Sequence, residues 1–293
     1  MPTQITIENQ FEHVDNMPYP AIIICSPTQI TISSTERLRK TLTANVLGLL
    51  PQRCEQFLKR CYFEGNLFAC KELFAPVLTK NGMCCAFNSA YVFKYNKRNE
   101  IKRDFIPRMV TKSGFLNKLS VVTDSNPNDA VTGTVLYAGA SLVMFTDCSD
   151  FPVSDESTIV YSNTEVFHIL SASFTYCSDD VQQLPVSSRQ CYFENEHPLS
   201  YFKQYRRTDC AEACRITEYE KKCQCTLPYV PGAKEHRICN LTSLDCIQKK
   251  TSKISIPNSI KRCQCLRNCV SREYHVESIV GNLDSAEHSI AEF

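Results

Sequence analysis

The stretch that decides the fold is Cys210-Ala-Glu-Ala-Cys214-Arg-Ile-Thr-Glu-Tyr-Glu-Lys-Lys-Cys223-Gln-Cys225, together with Cys263-Gln-Cys265-Leu-Arg-Asn-Cys269. The first part has a Cys-x3-Cys spacing followed by a Cys-x-Cys pair, and the second part runs Cys-x-Cys-x3-Cys. Residues 206–222 have a helical pattern, which places Cys210 and Cys214 one turn apart on one face. A segment this dense in cysteine is usually held by cross-links more than by a hydrophobic core.

The composition of the whole chain predicts a folded extracellular domain. It has 293 residues, of which 43% are hydrophobic and 22% are charged. These proportions exclude a disordered chain. The net charge of +1 gives no global attraction to nucleic acid. Eighteen cysteines are far more than a reducing cytosol usually leaves as thiols. Asn240, in the sequon Asn-Leu-Thr, is the candidate glycosylation site and agrees with export.

The start of the chain has no basic and apolar leader. No apolar run approaches the length of a membrane helix, which needs about 20 residues. A disulfide-rich domain nevertheless has to be exported in order to oxidise. We therefore expect the chain to be part of a longer protein, with membrane-spanning segments before and after it.

Local patterns predict helices first and strands later. Residues 20–25, Pro-Ala-Ile-Ile-Ile-Cys, are typical of a buried strand. The capping-box form of residues 33–36 predicts a helix that continues to Leu50. A second helix is expected from Pro51, carrying Cys54, Phe57, Leu58 and Cys61, and a third over residues 71–78. From Cys84 to Cys177 the β-branched and aromatic content predicts strands.

Four blocks, in order along residues 15–280, resemble the degenerin/epithelial sodium channel family. They are Tyr19-Pro-Ala-Ile-Ile-Ile-Cys25, the small loop Cys61 to Cys70, the stretch Thr79 to Asn88 and the cysteine cluster described first. The run Cys84-Cys-Ala-Phe-Asn88 looks most like the arthropod pickpocket branch. One block alone would carry little weight, but four in family order point to one family.

The resemblance implies an α+β fold for the extracellular domain, with a β-sheet palm and β-ball core, a helical finger and a disulfide-stapled helical thumb. The implied segments are a first palm strand (1–29), the finger (30–82), palm, β-ball and knuckle strands (83–190), the thumb (191–270) and the start of a returning palm strand (271–293).

The resemblance also implies seven disulfides, which spacing alone could not choose. They are Cys25–Cys84, Cys61–Cys70, Cys191–Cys269, Cys210–Cys265, Cys214–Cys263, Cys223–Cys246 and Cys225–Cys239. Four cysteines then remain, and we expect Cys148 to pair with Cys177 and Cys54 with Cys85.

By resemblance, the expected function is that of the extracellular gating or sensing domain of a sodium channel subunit at the plasma membrane. Its partners would be homologous subunits in a trimer, Na⁺ in the pore of the full-length protein, an unknown extracellular ligand and the membrane, reached through two spanning helices outside this chain. No catalytic residue, cofactor or metal site is expected.

Three other classes compete with this interpretation. Cys-x-Cys pairs could supply zinc, but structural zinc sites usually have Cys-x2-Cys spacing. No enzyme motif occurs, and the six histidines form no regular pair with a nucleophile. A secreted cysteine-rich binding protein without a pore is the main alternative.

Overall fold

The computed structural model describes residues 6–7, 17–38, 51–94, 98–112, 114, 117–153, 157–233, 237–239, 243, 246–247, 249 and 263–283. These residues combine antiparallel sheet with helices, as expected for an α+β fold. They divide into two compact units. The sheet unit comprises Val14–Asn96, Lys102–Ala172 and Tyr274–Phe293, and the cysteine-rich unit comprises Met1–His13, Lys97–Ile101 and Ser173–Glu273.

The strands are β1 (Ala21–Cys25), β2 (Leu58–Phe63), β3 (Asn66–Phe68), β4 (Phe74–Thr79), β5 (Gly82–Phe87), β6 (Tyr91–Lys94), β7 (Arg98–Ile101), β8 (Leu119–Thr123), β9 (Ser141–Thr146), β10 (Ser157–Val160), β11 (Thr164–Thr175), β12 (Cys191–Tyr192), β13 (Arg267–Asn268) and β14 (Ser271–Asn282). The helices are α1 (Ile32–Leu38), α2 (Cys54–Phe57), α3 (Cys70–Leu73), α4 (Asp179–Gln182), α5 (Val186–Arg189) and α6 (Arg207–Cys223). Among the described residues, no helix is both long and apolar enough to cross a bilayer.

The sheet unit is built around β1, the middle strand of a five-stranded antiparallel sheet in the order β10-β9-β1-β5-β4. Its sequence, Ala-Ile-Ile-Ile-Cys, suits a central strand because β-branched side chains pack well on a pleated surface. Four of its five residues are buried. The strand predicted over residues 20–25 is therefore confirmed.

Two segments predicted as helices form a single turn and then become strands. The helix expected from Pro51 is only α2, after which Leu58–Phe63 pairs with β3 and β8. The helix expected over residues 71–78 is only α3, after which Phe74–Thr79 pairs with β5. Both predictions are wrong beyond the first turn, because pairing with strands distant in sequence overrides a local spacing that also fits a helix.

The first predicted helix does begin near its capping signal. In α1 the Oγ1 atom of Thr31 accepts a hydrogen bond from the amide of Ser34 at 3.2 Å. The cap is therefore Thr31 rather than Ser33. The continuation expected to Leu50 includes residues 39–50, which lie outside the described residues.

The core of the sheet unit is a cluster of aromatic and aliphatic side chains on the face of the sheet that β2 covers. Phe87 is fully buried at its centre, with ring centroids of Phe63 and Phe74 at 5.3 and 5.9 Å. The Tyr19 ring packs edge-on against Phe63 at 5.2 Å. Edge-to-face ring pairs of this kind add to the free energy gained by burying their area.

In the cysteine-rich unit the main element is α6, and the helix predicted over residues 206–222 is confirmed. Asp209 lies in its first turn and Lys221 and Lys222 in its last, which complements the helix dipole. Gln224 ends the helix in a left-handed conformation with φ of 54°, a conformation common at helix ends. Near the two ends of the unit, β12 pairs in parallel with β13.

Candidate functional site

In the sheet unit, two adjacent cysteines of β5 anchor the sheet on both of its faces. Cys84 lies directly opposite Cys25 of β1 and forms a disulfide with it, with a Cα–Cα distance of 4.2 Å. Cys85 forms a disulfide with Cys54 of α2, with a Cα–Cα distance of 5.6 Å. Successive strand residues point to opposite faces, so the pair ties β5 both to its neighbouring strand and to the layer above. A third bridge, Cys61–Cys70, closes the loop around β3.

In the cysteine-rich unit, five disulfides form a nested ladder along α6. Cys210 and Cys214, one turn apart, bond to Cys265 and Cys263, with Cα–Cα distances of 5.8 and 6.2 Å. Outside these two lies Cys191–Cys269, and inside them lie Cys223–Cys246 and Cys225–Cys239. These partners, like those in the sheet unit, are the ones named in the sequence analysis. The helix is therefore cross-linked along its whole length.

A buried charged group lies between these bridges on α6. Glu212 is only 1% exposed and accepts hydrogen bonds from Arg215 at 2.7 and 2.9 Å and from the Tyr229 hydroxyl at 2.8 Å. Burial and then the Glu212 carboxylate raise the pKa of Tyr229 well above its usual value, which keeps the phenol protonated as a donor. Burial alone would lower the pKa of Arg215, but Glu212, Tyr229 and Tyr219 together outweigh it, so the pKa of Arg215 is raised. Sequence reasoning missed this group, because a Glu and an Arg three residues apart normally indicate an exposed helix face.

Aromatic and charged side chains surround the segment where α6 begins. The Tyr205 hydroxyl donates to the carbonyl of Leu266 at 2.5 Å, and its ring packs edge-on against Tyr192 at 4.9 Å. Burial, together with the nearby Tyr192, raises the pKa of Tyr205 to about 12. The guanidinium of Arg189 is buried, forms an ion pair with Glu196 and donates to the carbonyl of Cys191 at 3.1 Å.

The predicted Cys148–Cys177 disulfide is absent from the structure, and this prediction is wrong. Cys148 is buried just after β9 in the sheet unit, with its Sγ 3.8 Å from Oδ1 of Asp147. Cys177 follows β11 in the other unit, where its thiol donates to the carbonyl of Cys269 at 3.4 Å. The prediction pairs Cys148 with Cys177 because they are left over. In the structure each follows a different strand, so Cys148 lies beside Asp147 and Cys177 beside Cys269.

Cys177 instead lies beside a disulfide. Its Sγ and the Sγ atoms of Cys191 and Cys269 all lie within 4.8 Å of one another. The last two sulfurs are bonded to each other, so only one thiol is available and three thiolate ligands for a metal ion are not. The candidate glycosylation site, Asn240, lies outside the described residues.

Comparison with known proteins identifies what the chain resembles. A family model described as amiloride-sensitive sodium channel matches residues 41–291. Sodium channel protein Nach of Drosophila ananassae is 27% identical over 83% of the chain and 46% of its own length, and Nach of Drosophila virilis is 27% identical over 86% and 64%. Pickpocket protein 28 of Drosophila melanogaster is 22% identical over 88% and 52%. The chain thus spans about half the length of the curated relatives it matches.

Proposed function

The chain belongs to the amiloride-sensitive sodium channel family, the degenerin/epithelial sodium channel group that includes the pickpocket proteins. From that premise we propose that it is the extracellular gating or sensing domain of a sodium channel subunit. The observation that carries the proposal is the extent of the family match, which runs through both structural units. A shared cysteine-rich motif alone would match only one of them.

We assign the parts by their position in the chain. The cysteine-rich unit, with α6 and its five bridges, is the thumb. The five-stranded sheet and the β11–β14 ribbon form the palm core, and the segments around α1, α2 and β2 form the finger. β4, in the range expected for the finger, belongs to the same sheet as β1, which moves the proposed boundary between finger and palm toward residue 73.

The proposed mechanism depends on stiffness. A helix tied at both ends and along its length cannot absorb a displacement by bending locally, so a stimulus that moves one part of the thumb moves all of it. Such a rigid element can bias a two-state equilibrium elsewhere in the subunit. The five bridges and the buried Glu212–Arg215 pair are the groups that supply this rigidity.

The partners in this proposal are homologous subunits in a trimer, an extracellular ligand and Na⁺ in a pore formed by segments outside this chain. The domain would lie on the extracellular side of the plasma membrane, carried by two membrane-spanning helices. No catalytic step or cofactor is part of the proposed activity.

The test is a chimaera in which this chain replaces the matching segment of a Nach relative. Expressed in oocytes, it should reach the surface and carry an amiloride-sensitive sodium current, alone or with a homologous subunit. Surface labelling and voltage clamp measure the two properties separately. The unmodified relative is the control for its own transmembrane segments.

The outcome against the proposal is a chimaera that reaches the surface, fully oxidised, yet carries no current with any homologous subunit. A secreted binding protein is the remaining alternative. It would be supported if the chain behind an export signal accumulated in the medium as a folded monomer that did not associate with channel subunits.

A further inference from the structure

The end of the cysteine-rich unit brings one thiol against one disulfide. The Sγ atoms of Cys177, Cys191 and Cys269 lie within 4.8 Å of one another, and the thiol of Cys177 donates to the backbone carbonyl of Cys269 at 3.4 Å. Cys191 and Cys269 are buried, whereas Cys177 is partly exposed. The Cys177 thiol therefore lies next to both sulfurs of a disulfide.

Strand pairing creates this arrangement. Cys177 follows β11, which pairs with β14, and Cys269 lies between β13 and β14. Cys191 begins β12, which pairs in parallel with β13. Three segments distant in sequence therefore meet where the chain enters and leaves the cysteine-rich unit.

We propose that Cys177 is an exchange thiol for the Cys191–Cys269 disulfide. The Cys177 thiolate attacks the Sγ of Cys269, a Cys177–Cys269 bond forms, the Cys191–Cys269 bond breaks, and Cys191 leaves as a thiolate that takes up a proton. One disulfide and one thiol are present before and after the step, so no oxidant or reductant is required. Cys269 is the assigned target because Cys177 already contacts its backbone.

Exchange would change which cysteine is bonded to Cys269 without changing the number of disulfides. The sequence separation between the bridged cysteines grows from 78 to 92. Because loop-closure entropy depends on the logarithm of loop length, this change hardly favours either isomer. The segment between Cys177 and Cys191 contains α4 and α5. It would lie inside the loop that Cys177–Cys269 closes, whereas it lies outside the loop that Cys191–Cys269 closes. The outcome is two covalent isomers of the same chain, differing in where the thumb is anchored.

Nearby charges set the rate. Burial raises the pKa of the Cys177 thiol, and the positive charge of Arg189 offsets part of that increase. Arg189 is itself paired with Glu196, so its effect on the thiol is reduced. Since exchange requires the thiolate, the rate should rise roughly tenfold for each pH unit while the thiol remains protonated.

The experiment uses the full chain, secreted from cells behind an export signal. Samples are held at pH 7.0 and 8.5 without reductant, quenched in acid, alkylated under denaturing conditions and mapped without reduction. We expect a Cys177–Cys269 peptide that accumulates faster at pH 8.5, and an alkylated Cys191 in the same molecules. Cys148→Ser is the matched control, because it removes the other thiol and should leave exchange unchanged.

Two variants give a result that does not depend on the exchange rate. In Cys177→Ser, Cys269 should be bonded only to Cys191. In Cys191→Ser, Cys269 should be bonded to Cys177 before any incubation. The proposal is overturned if Cys177 is fully alkylated in the wild-type chain at pH 8.5, a result that does not depend on any variant folding. A Cys177–Cys191 peptide in place of Cys177–Cys269 would overturn the assignment of Cys269 as the attacked residue.

Discussion

The sheet unit is built around one cluster of aromatic and aliphatic side chains, whereas the main helix of the cysteine-rich unit buries disulfide cysteines and a charged residue beside its apolar side chains. Around Phe87 the rings of Tyr19, Phe63 and Phe74 pack at centroid distances of 5.3 to 6.2 Å. Along α6 the buried positions are two alanines, two cysteines, two acidic residues, Ile216 and Tyr219. Side-chain packing is the main source of stability in the sheet unit, and disulfides are the main constraint in the cysteine-rich unit. This difference suits a stable core and a rigid thumb.

The largest expected effect is on packing. Phe87→Ala removes a fully buried ring from the centre of the sheet unit. The free energy of unfolding should fall by about 3–5 kcal/mol, since a cavity remains. Chemical denaturation of the secreted chain measures it. Leu67→Ala in the same unit is the control, because Leu67 is 64% exposed and its loss should change little. Equal effects of the two changes would contradict the proposed core.

Next comes a covalent constraint. Cys214→Ser removes one rung of the ladder and leaves Cys263 without its partner. The loss should cost about 2–4 kcal/mol. We expect retention in the secretory pathway, measured as the ratio of secreted to intracellular chain. Cys177→Ser, which breaks no bridge, should be secreted normally. Wild-type secretion of Cys214→Ser would mean that the cysteine-rich unit does not depend on this disulfide.

The buried pair on α6 gives a smaller effect. Glu212→Ala leaves Arg215 and Tyr229 without the carboxylate that accepts from both, and should cost about 1.5–3 kcal/mol. The control is Glu218→Ala on the same helix, which breaks the i,i+4 pair with Lys222 at 3.7 Å. Because Lys222 is exposed and Glu218 is only partly buried, losing this pair should cost at most about 0.5 kcal/mol. Thermal unfolding of both variants checks the difference, and equal losses would show that burial of Glu212 adds nothing.

The smallest effect concerns pH and the β11–β14 ribbon. Burial lowers the pKa of His168, whose Nδ1 lies 2.9 Å from the Ser278 hydroxyl. The unfolded chain then binds the proton more readily, so stability contributed by neutral His168 is present at neutral pH and is lost as pH falls below about 6.5. His168→Gln should flatten the melting temperature between pH 7.5 and 5. An unchanged pH dependence in this variant would exclude His168 as its source.

Some of this structure follows from the sequence alone because the signal is local. The β-branched run at 21–25 is typical of a buried strand, and the Cys-x3-Cys spacing of Cys210 and Cys214 suits one face of a helix; both predictions are confirmed. Resemblance to a family then supplied seven of the disulfide pairs, which no local pattern contains.

Tertiary structure decided what depends on distant pairing. Leu58–Phe63 is a strand because β8, much later in the chain, provides the hydrogen bonds that a helix would have made internally. Glu212 is buried because Tyr229 folds back onto α6 as a third partner. Cys177 meets the Cys191–Cys269 bridge because β11 pairs with β14, which is far from it in sequence. Contacts of that range leave no trace in the spacing of neighbouring residues, since spacing reports only which face of its own helix or strand a residue occupies.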